Sequence, residues 1–205
     1  MRKPLRKLQN VNIKRPKELS LRLGIPLGVL VSVSENMLPH YWTFRKKVGK
    51  KVRTLYDVSP ELKGIHEKID KEILDRFSYP KSFQGGVKGG SLRANATPHS
   101  KKTNVGNFDL KDFFPSVKSN RIYKTLVSLG CVPDIARIIT KLVTADGALP
   151  QGFLTSPKIA ALVLLRMNSR LERLFSKYGA EHTFWIDDLT ISASYPLKKL
   201  KPLIK

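Results

Sequence analysis

Thr183-Phe184-Trp185-Ile186-Asp187-Asp188-Leu189-Thr190-Ile191-Ser192 is the stretch whose reading decides the fold. Apolar and polar residues alternate on either side of an acidic pair, the pattern of two short strands meeting at a turn. Upstream, Val105 to Leu110 reads as another short strand, ending in Asp109 within Asn107-Phe108-Asp109-Leu110-Lys111-Asp112-Phe113-Phe114-Pro115-Ser116. Two helices are expected between these strands, Ser119–Leu129 closed by Gly130 and then Pro133–Val143. Thr155-Ser156-Pro157 opens the longest helix, which runs to Tyr178 and stops at Gly179. Toward the N-terminus, Leu19 to Leu30 is apolar but broken by Gly24, Pro26 and Gly28, a short helix and a turn. Residues 44–58 read as a hairpin with Val48-Gly49-Lys50 as its turn. Ser59-Pro60-Glu61 then starts a helix, with a capping hydroxyl and a proline in the first turn. Leu62, Ile65, Ile69, Ile73 and Phe77 hold helical spacing to residue 77. Residues 84–90 (Gln-Gly-Gly-Val-Lys-Gly-Gly) are either a flexible connection or a site of close backbone approach. Strands and helices mix without regular alternation, so the expected class is α+β.

The chain has 205 residues, with 38 Lys+Arg against 16 Asp+Glu and a net charge of +22. Its 41% hydrophobic and 8% aromatic content excludes a disordered basic tail, which could not bury enough apolar surface to fold. The longest unbroken apolar run, Ile159 to Leu165, is seven residues, far below the roughly 20 of a membrane span. Residues 1–53 are basic from the second residue and lack an apolar core with a cleavage site, so no secretory signal is expected. Cys131 is the single cysteine. A disulfide framework is thereby excluded, and a reducing cytoplasm is the expected setting.

Such a charge calls for a polyanion, because lysines and arginines that neutralise phosphates release counterions and gain affinity without sequence preference. Solubility, or attraction to an anionic membrane, is the blander account. Residues 1–53 carry +12 and the other 152 residues +10. Arg2, Lys3, Arg6 and Lys7 would share one helix face. Six of the ten residues 44–53 are basic.

Against this background the placement of the few acids is informative. Asp109 ends a strand, and Asp187-Asp188 lies at a hairpin tip 78 residues later. Converging strand-end carboxylates suit a hard divalent cation such as Mg²⁺, which takes one or two carboxylates together with substrate phosphates. Two such ions can activate an attacking oxygen and stabilise a leaving one in phosphoryl transfer. The alternative is an ordinary polar turn, with Asp109 as a helix cap. Leu149-Pro150-Gln151-Gly152-Phe153-Leu154-Thr155-Ser156-Pro157 offers an amide, a close backbone approach and a helix N-terminus, which favours phosphate. Alone it could be a capped helix.

In their order, these three segments resemble the palm motifs of a reverse transcriptase of the bacterial retron type. Residues 107–117 are similar to the family's first motif and 149–157 to its second. Trp185-Ile186-Asp187-Asp188 resembles its acidic hairpin. Upstream matches include Leu23-Gly24-Ile25-Pro26, Tyr41 with Phe44, the lysine hairpin ending at Arg53, and Leu62-Lys63. Gly89-Gly90-Ser91-Leu92 precedes Asn95-Ala96-Thr97-Pro98-His99, similar to a retron-specific Asn-Ala-x-x-His element.

The resemblance implies a right-hand polymerase. Residues 1–100 would be fingers with a basic N-terminal segment and 101–205 palm, with 118–147 a helical fingers insertion. Asp109, Asp187 and Asp188 would be the catalytic carboxylates, holding two Mg²⁺ ions (Mn²⁺ as a substitute) with the Leu110 carbonyl as a further ligand. Phe114 would sit under the incoming sugar, and Asp112 and Phe113 would line the nucleotide pocket, one phenylalanine of the two alternatively being core. Gln151 would contact the nucleotide, and Lys46 or Lys47, with Arg53, would hold its triphosphate. Asn95 and His99 would recognise RNA, a structural hydrogen bond being the alternative for His99. The implied activity is RNA-directed DNA synthesis from deoxynucleotides on a structured noncoding RNA template. Priming from an internal guanosine 2′-OH would give a short DNA joined to RNA (msDNA) in the bacterial cytoplasm, in anti-phage defence alongside an effector or toxin protein.

Three features depart from the pattern. Trp185 and Ile186 replace a tyrosine and a small residue, and Phe153-Leu154 stands where Ala-Pro is frequent. The sequence also stops 17 residues after Asp188, leaving no room for a thumb. A thumbless RNA-binding subunit inactive alone, or another defence-associated or group II intron-like polymerase, therefore stand as alternatives. Elsewhere, His40, His66 and His182 lack metal-ligand spacing, Cys131 is expected in the core, and Trp42 is expected to be buried rather than stacked on bases.

Overall fold

The computed structural model describes residues 13–49 and 51–199. In chain order its elements are α1 (Pro16–Leu23), α2 (Leu27–Glu35), β1 (Tyr41–Val48), β2 (Lys51–Val58), α3 (Pro60–Glu72), α4 (Leu92–Ala96), β3 (Asn104–Asp109), α5 (Phe113–Ser116), α6 (Ser119–Ser128), α7 (Pro133–Leu142), α8 (Ser156–Tyr178), β4 (Glu181–Trp185) and β5 (Asp188–Ala193). The mixture of helices with small antiparallel sheets is α+β. The basic face of Arg2, Lys3, Arg6 and Lys7, and Lys50 of the hairpin turn, lie outside the described residues.

Two compact units divide the chain, residues 1–78 with 114–163 and residues 79–113 with 164–205. Both are discontinuous in sequence.

The first unit is helical with one β-hairpin. Gly24 takes a left-handed φ of 65° and closes α1, its amide donating to the Leu21 carbonyl. The apolar 19–30 stretch is therefore the end of one helix and the start of another. Ser59 caps α3 by accepting from the Leu62 amide at 3.2 Å. This helix stops at Glu72, short of the expected residue 77, and a 3₁₀ turn covers Leu74–Arg76. Lys158 supplies a physical reason: its ammonium lies 2.5 Å from Asp70 and 2.7 Å from Asp75. Residues five apart on a straight α-helix point about 140° apart, so one cation reaches both carboxylates only where the helix tightens. In the hairpin, Val48 pairs with Lys51, so Val48 belongs to the strand and not to the turn in which it was expected. The core of this unit includes Leu19, Leu30, Leu62, Ile69, Ile135 and Ile139. Cys131 is buried as expected, and burial pushes its thiol up to about 11. Trp42 reverses its expectation, being 49% exposed beside Phe44 at 42%.

The second unit is built on an antiparallel sheet in the order β3-β5-β4. Alternation gives it two unlike faces. Phe108, Leu189, Ile191, His182 and Phe184 share one face, on which His182 meets Phe175 of α8. Asp109, Asn107, Asp188, Thr190, Ser192 and Thr183 share the other. The register sets Asp109–Asp188–Trp185 in one row, then Asn107–Thr190–Thr183, then Val105–Ser192–Glu181. Between β4 and β5 the turn residues are Ile186 and Asp187, not the two aspartates. Asp188 is already the first residue of β5.

Candidate active site

Strand β3 ends and β5 begins at the same row, so Asp109 and Asp188 stand directly opposite each other on the polar face, both exposed. Facing residues of an antiparallel pair have Cβ atoms about 5 Å apart, and like charges there repel. A chain of net charge +22 that places two bare carboxylates together spends stability on them, and a cation between them would relieve the repulsion. Asp187 occupies the turn, half-buried, and its main-chain carbonyl accepts from the Leu110 amide at 3.2 Å. That bond latches the segment after β3 onto the acidic turn. Among the described residues no three His, Cys, Asp or Glu side chains converge as a metal cage. The donor set that fits Mg²⁺ here is the facing pair Asp109 and Asp188, which leaves coordination positions for water and substrate phosphate.

Backbone geometry around the pair is tight. Ile186 adopts φ 61° and Asp112 φ 48°, a left-handed conformation that costs a β-branched residue most. The Leu110 carbonyl, expected as a metal ligand, accepts from the Phe113 amide at 3.1 Å, using one of its two lone pairs. Asp112 is exposed, whereas Phe113 and Phe114 are both buried, at 7% and 8% exposure.

The glycine-rich residues 84–90 are compatible by sequence with either a flexible connection or a close backbone approach. The structure answers with close approach, and to protein backbone. The Gln84 and Gly85 amides donate to the Phe184 carbonyl at 2.9 and 3.2 Å, and the Phe184 amide donates to Ser82 at 2.7 Å. A Cβ on Gly85 would lie 2.5 Å from the Ile186 nitrogen, and one on Gly90 would lie 2.1 Å from the Gln84 oxygen. Gly85 thus seats the acidic turn, a role that the doubled glycines signalled but did not specify.

Asn95 and His99 belong to the same unit. His99 is 7% exposed, with Nδ1 2.7 Å from Ser192 Oγ and Nε2 2.9 Å from Thr183 Oγ1. Both ring nitrogens are engaged inside the protein, the arrangement that the structural alternative for His99 expects. Burial also lowers its pKa.

The remaining expected site residues lie in the first unit. Lys46 faces Arg53 across the hairpin, so the two cations share a side. Lys47 faces Val52 and projects to the opposite side. Trp42 and Phe44 are on the Lys46 side, exposed. Gln151 is half-buried, and its carbonyl accepts from the Tyr56 amide at 2.8 Å. A Cβ on Gly152 would come within 2.2 Å of the Tyr56 oxygen. The close approach expected at Gly152 is therefore to the hairpin backbone. Tyr41 and Tyr56 donate their hydroxyls to the two oxygens of Asp146, each at 2.9 Å. Burial, then the Asp146 hydrogen bond, pushes Tyr56 up to about 12. Thr155 and Ser156 are fully buried, with Ser156 Oγ donating to the Pro150 carbonyl at 2.6 Å. The Ser156 hydroxyl thus ties the start of α8 back to the loop before it.

No established family profile matches the chain. Individual proteins do. It is 34% identical over 175 residues to the retron Ec86 reverse transcriptase of Escherichia coli, covering 85% of this chain and 55% of that protein. It is 32% identical over 184 residues to the retron Se72 reverse transcriptase of Salmonella heidelberg, covering 87% and 48%. With the retron Mx65 reverse transcriptase of Myxococcus xanthus the identity is 31% over 200 residues, covering 86% and 47%. The chain spans about half the length of these curated relatives. These matches, over more than four fifths of the chain, show that it belongs to the retron reverse transcriptases.

Proposed function

We propose that this chain carries the nucleotidyl-transfer centre of an RNA-directed DNA polymerase. The observation that carries the reading is the facing pair Asp109 and Asp188, open on the polar face of a sheet in a strongly basic chain. A primer hydroxyl oxygen attacks the α-phosphorus of a deoxynucleotide; the new P–O bond forms, the α–β phosphoanhydride breaks, pyrophosphate leaves, and the hydroxyl proton passes to solvent. Divalent cations, two Mg²⁺ in this reading, supply charge stabilisation for the entering and leaving oxygens. Asp109 and Asp188 hold that charge, with Asp187 fixing the turn. The sheet unit then corresponds to the palm and the hairpin-bearing unit to the fingers, where Lys46 and Arg53 hold the triphosphate and Gln151 contacts the nucleotide. Template and product, by the relatives' retron kind, are a structured noncoding RNA and msDNA made in anti-phage defence.

The test is single-nucleotide incorporation on an RNA template with Mg²⁺ or Mn²⁺. Asp109→Asn and Asp188→Asn should each lower incorporation at least about a thousandfold while RNA affinity stays within about twofold, as for groups acting at the transition state. Retained synthesis would overturn the assignment. The relatives' greater length favours a second reading, an RNA-binding part that polymerises only with further protein. It predicts tight RNA binding that weakens steeply with salt, no incorporation alone, and activity on adding the C-terminal half of a longer relative.

A further inference from the structure

On the polar face of the β3-β5-β4 sheet, the carboxylate row is open, whereas part of the two rows behind it is covered. Asp109 and Asp188 form the open row, while Ser192 and Thr183, on the next two rows, are fully buried. The residues covering them are α4 and the 3₁₀ turn Thr97–His99, the segment that includes Asn95 and His99. His99 reaches both strands of the acidic hairpin at once, β4 through Thr183 and β5 through Ser192. Thr183 Oγ1 also donates to the Asn95 carbonyl at 3.4 Å. One proton arrangement satisfies every partner: Ser192 Oγ donates to His99 Nδ1, His99 Nε2 donates to Thr183 Oγ1, and Thr183 Oγ1 donates to Asn95. On the row between, Thr190 Oγ1 donates to Asn107 Oδ1 at 3.0 Å, tying β5 to β3. Hydrogen bonds thus run across all three strands immediately behind the carboxylate row.

We propose that His99 is a positioning residue that laces β4 to β5 and holds Asp188 opposite Asp109, with the Asn95–His99 turn acting as a clamp on the catalytic hairpin. The proposal rests on the reading of Asp109 and Asp188 as the catalytic pair. The strained turn shows why a clamp is useful. Ile186 sits at φ 61° between the two strands, and such a conformation persists only where the surroundings over-determine it. Small displacements of a catalytic group, on the order of 1 Å, cost up to about a hundredfold in rate.

The experiment compares His99→Ala, His99→Gln, Ser192→Ala and the double variant His99→Ala/Ser192→Ala in the full chain. Amide hydrogen exchange over residues 184–189 is measured beside single-turnover incorporation and RNA affinity. His99→Ala should speed hairpin exchange and lower the single-turnover rate constant by about tenfold or more, without lowering its amplitude. Nucleotide KM and RNA affinity should stay within about twofold, since neither binding surface is touched. His99→Gln, which offers one donor and one acceptor, should recover most of the rate, and Ser192→Ala should add nothing further in the His99→Ala background. A general folding defect would lower the amplitude instead. Weakened RNA binding with unchanged hairpin exchange would make His99 an RNA contact and overturn the proposal. If the unsubstituted chain incorporates no nucleotide with either cation, it follows the second reading of its function, and hairpin exchange alone decides the clamp: faster exchange in His99→Ala supports it and unchanged exchange overturns it.

Discussion

Lys46 and Lys47 are neighbours that the sequence could not tell apart and the hairpin register can. Lys46 shares a side with Arg53, Phe44 and Trp42, whereas Lys47 is on the side of Tyr41 and Tyr56. An ammonium and a guanidinium facing each other repel unless an anion joins them, so the Lys46–Arg53 pair is the better triphosphate holder. Lys46→Ala should therefore raise the nucleotide KM about tenfold and Lys47→Ala less than about threefold, read in steady-state incorporation. Equal effects would show that a triphosphate does not read this register. Trp42 was expected in the core because large aromatic side chains usually are. Its exposure follows from pleat parity, which places it on the Lys46 side while Tyr56 on the other packs edge-on against Phe153.

At the scale of elements, the acidic hairpin is held from its outer edge as well as from above. Residues 82–85 run along β4, Phe83 stacks on Phe184 with ring centroids 5.1 Å apart, and Gly85 lies against the turn. Gly85→Ala would force its methyl into the Ile186 backbone, which cannot yield without moving Asp187. Overpacking of this kind costs about 1–3 kcal/mol, so the denaturant midpoint should fall and incorporation should fall with it; Gly86→Ala, at a neighbouring exposed position, is the control for strain alone. The β1–β2 hairpin has a comparable anchorage. Asp146, itself at φ 49°, accepts from Tyr41 and Tyr56, and the Gln151 carbonyl accepts from the Tyr56 amide. The segment carrying Gln151 is thereby joined to the hairpin carrying Lys46 and Arg53.

For the molecule as a whole, buried histidines set an acid limit. His66, donating Nε2–H to the Leu142 carbonyl at 2.7 Å, and His182, bonded to Asn168 at 2.8 Å, are each pulled down by burial to about 4. Unfolded, each ring binds a proton near the ordinary 6.5. The unfolded chain therefore holds more protons as pH falls from 6.5 toward 4, and folding stability declines across that window. His66 alone contributes a slope of up to about 1.4 kcal/mol per pH unit. Urea midpoints should drop between pH 7 and 4.5, and His66→Gln should flatten part of the drop. A flat profile in the unsubstituted protein would mean these rings are not buried.

Much of this was legible in residue order. Helix boundaries marked by Ser59-Pro60, Gly130-Cys131-Val132-Pro133 and Gly179 follow from local backbone chemistry, which caps and breakers express within a few residues. The strand before Asp109 and the hairpin around Asp187-Asp188 follow from two-residue alternation, equally local. Sequence also determined the net charge, and hence the polyanionic partner expected. Tertiary structure alone decided that Asp188 rather than Asp187 faces Asp109, and that Lys46 rather than Lys47 faces Arg53. It also decided that Gly85 yields space to a turn a hundred residues away and that His99 points inward to Thr183 and Ser192. Each of these depends on register or on contact between segments distant in the chain, where one step of slippage moves every side chain to the other face.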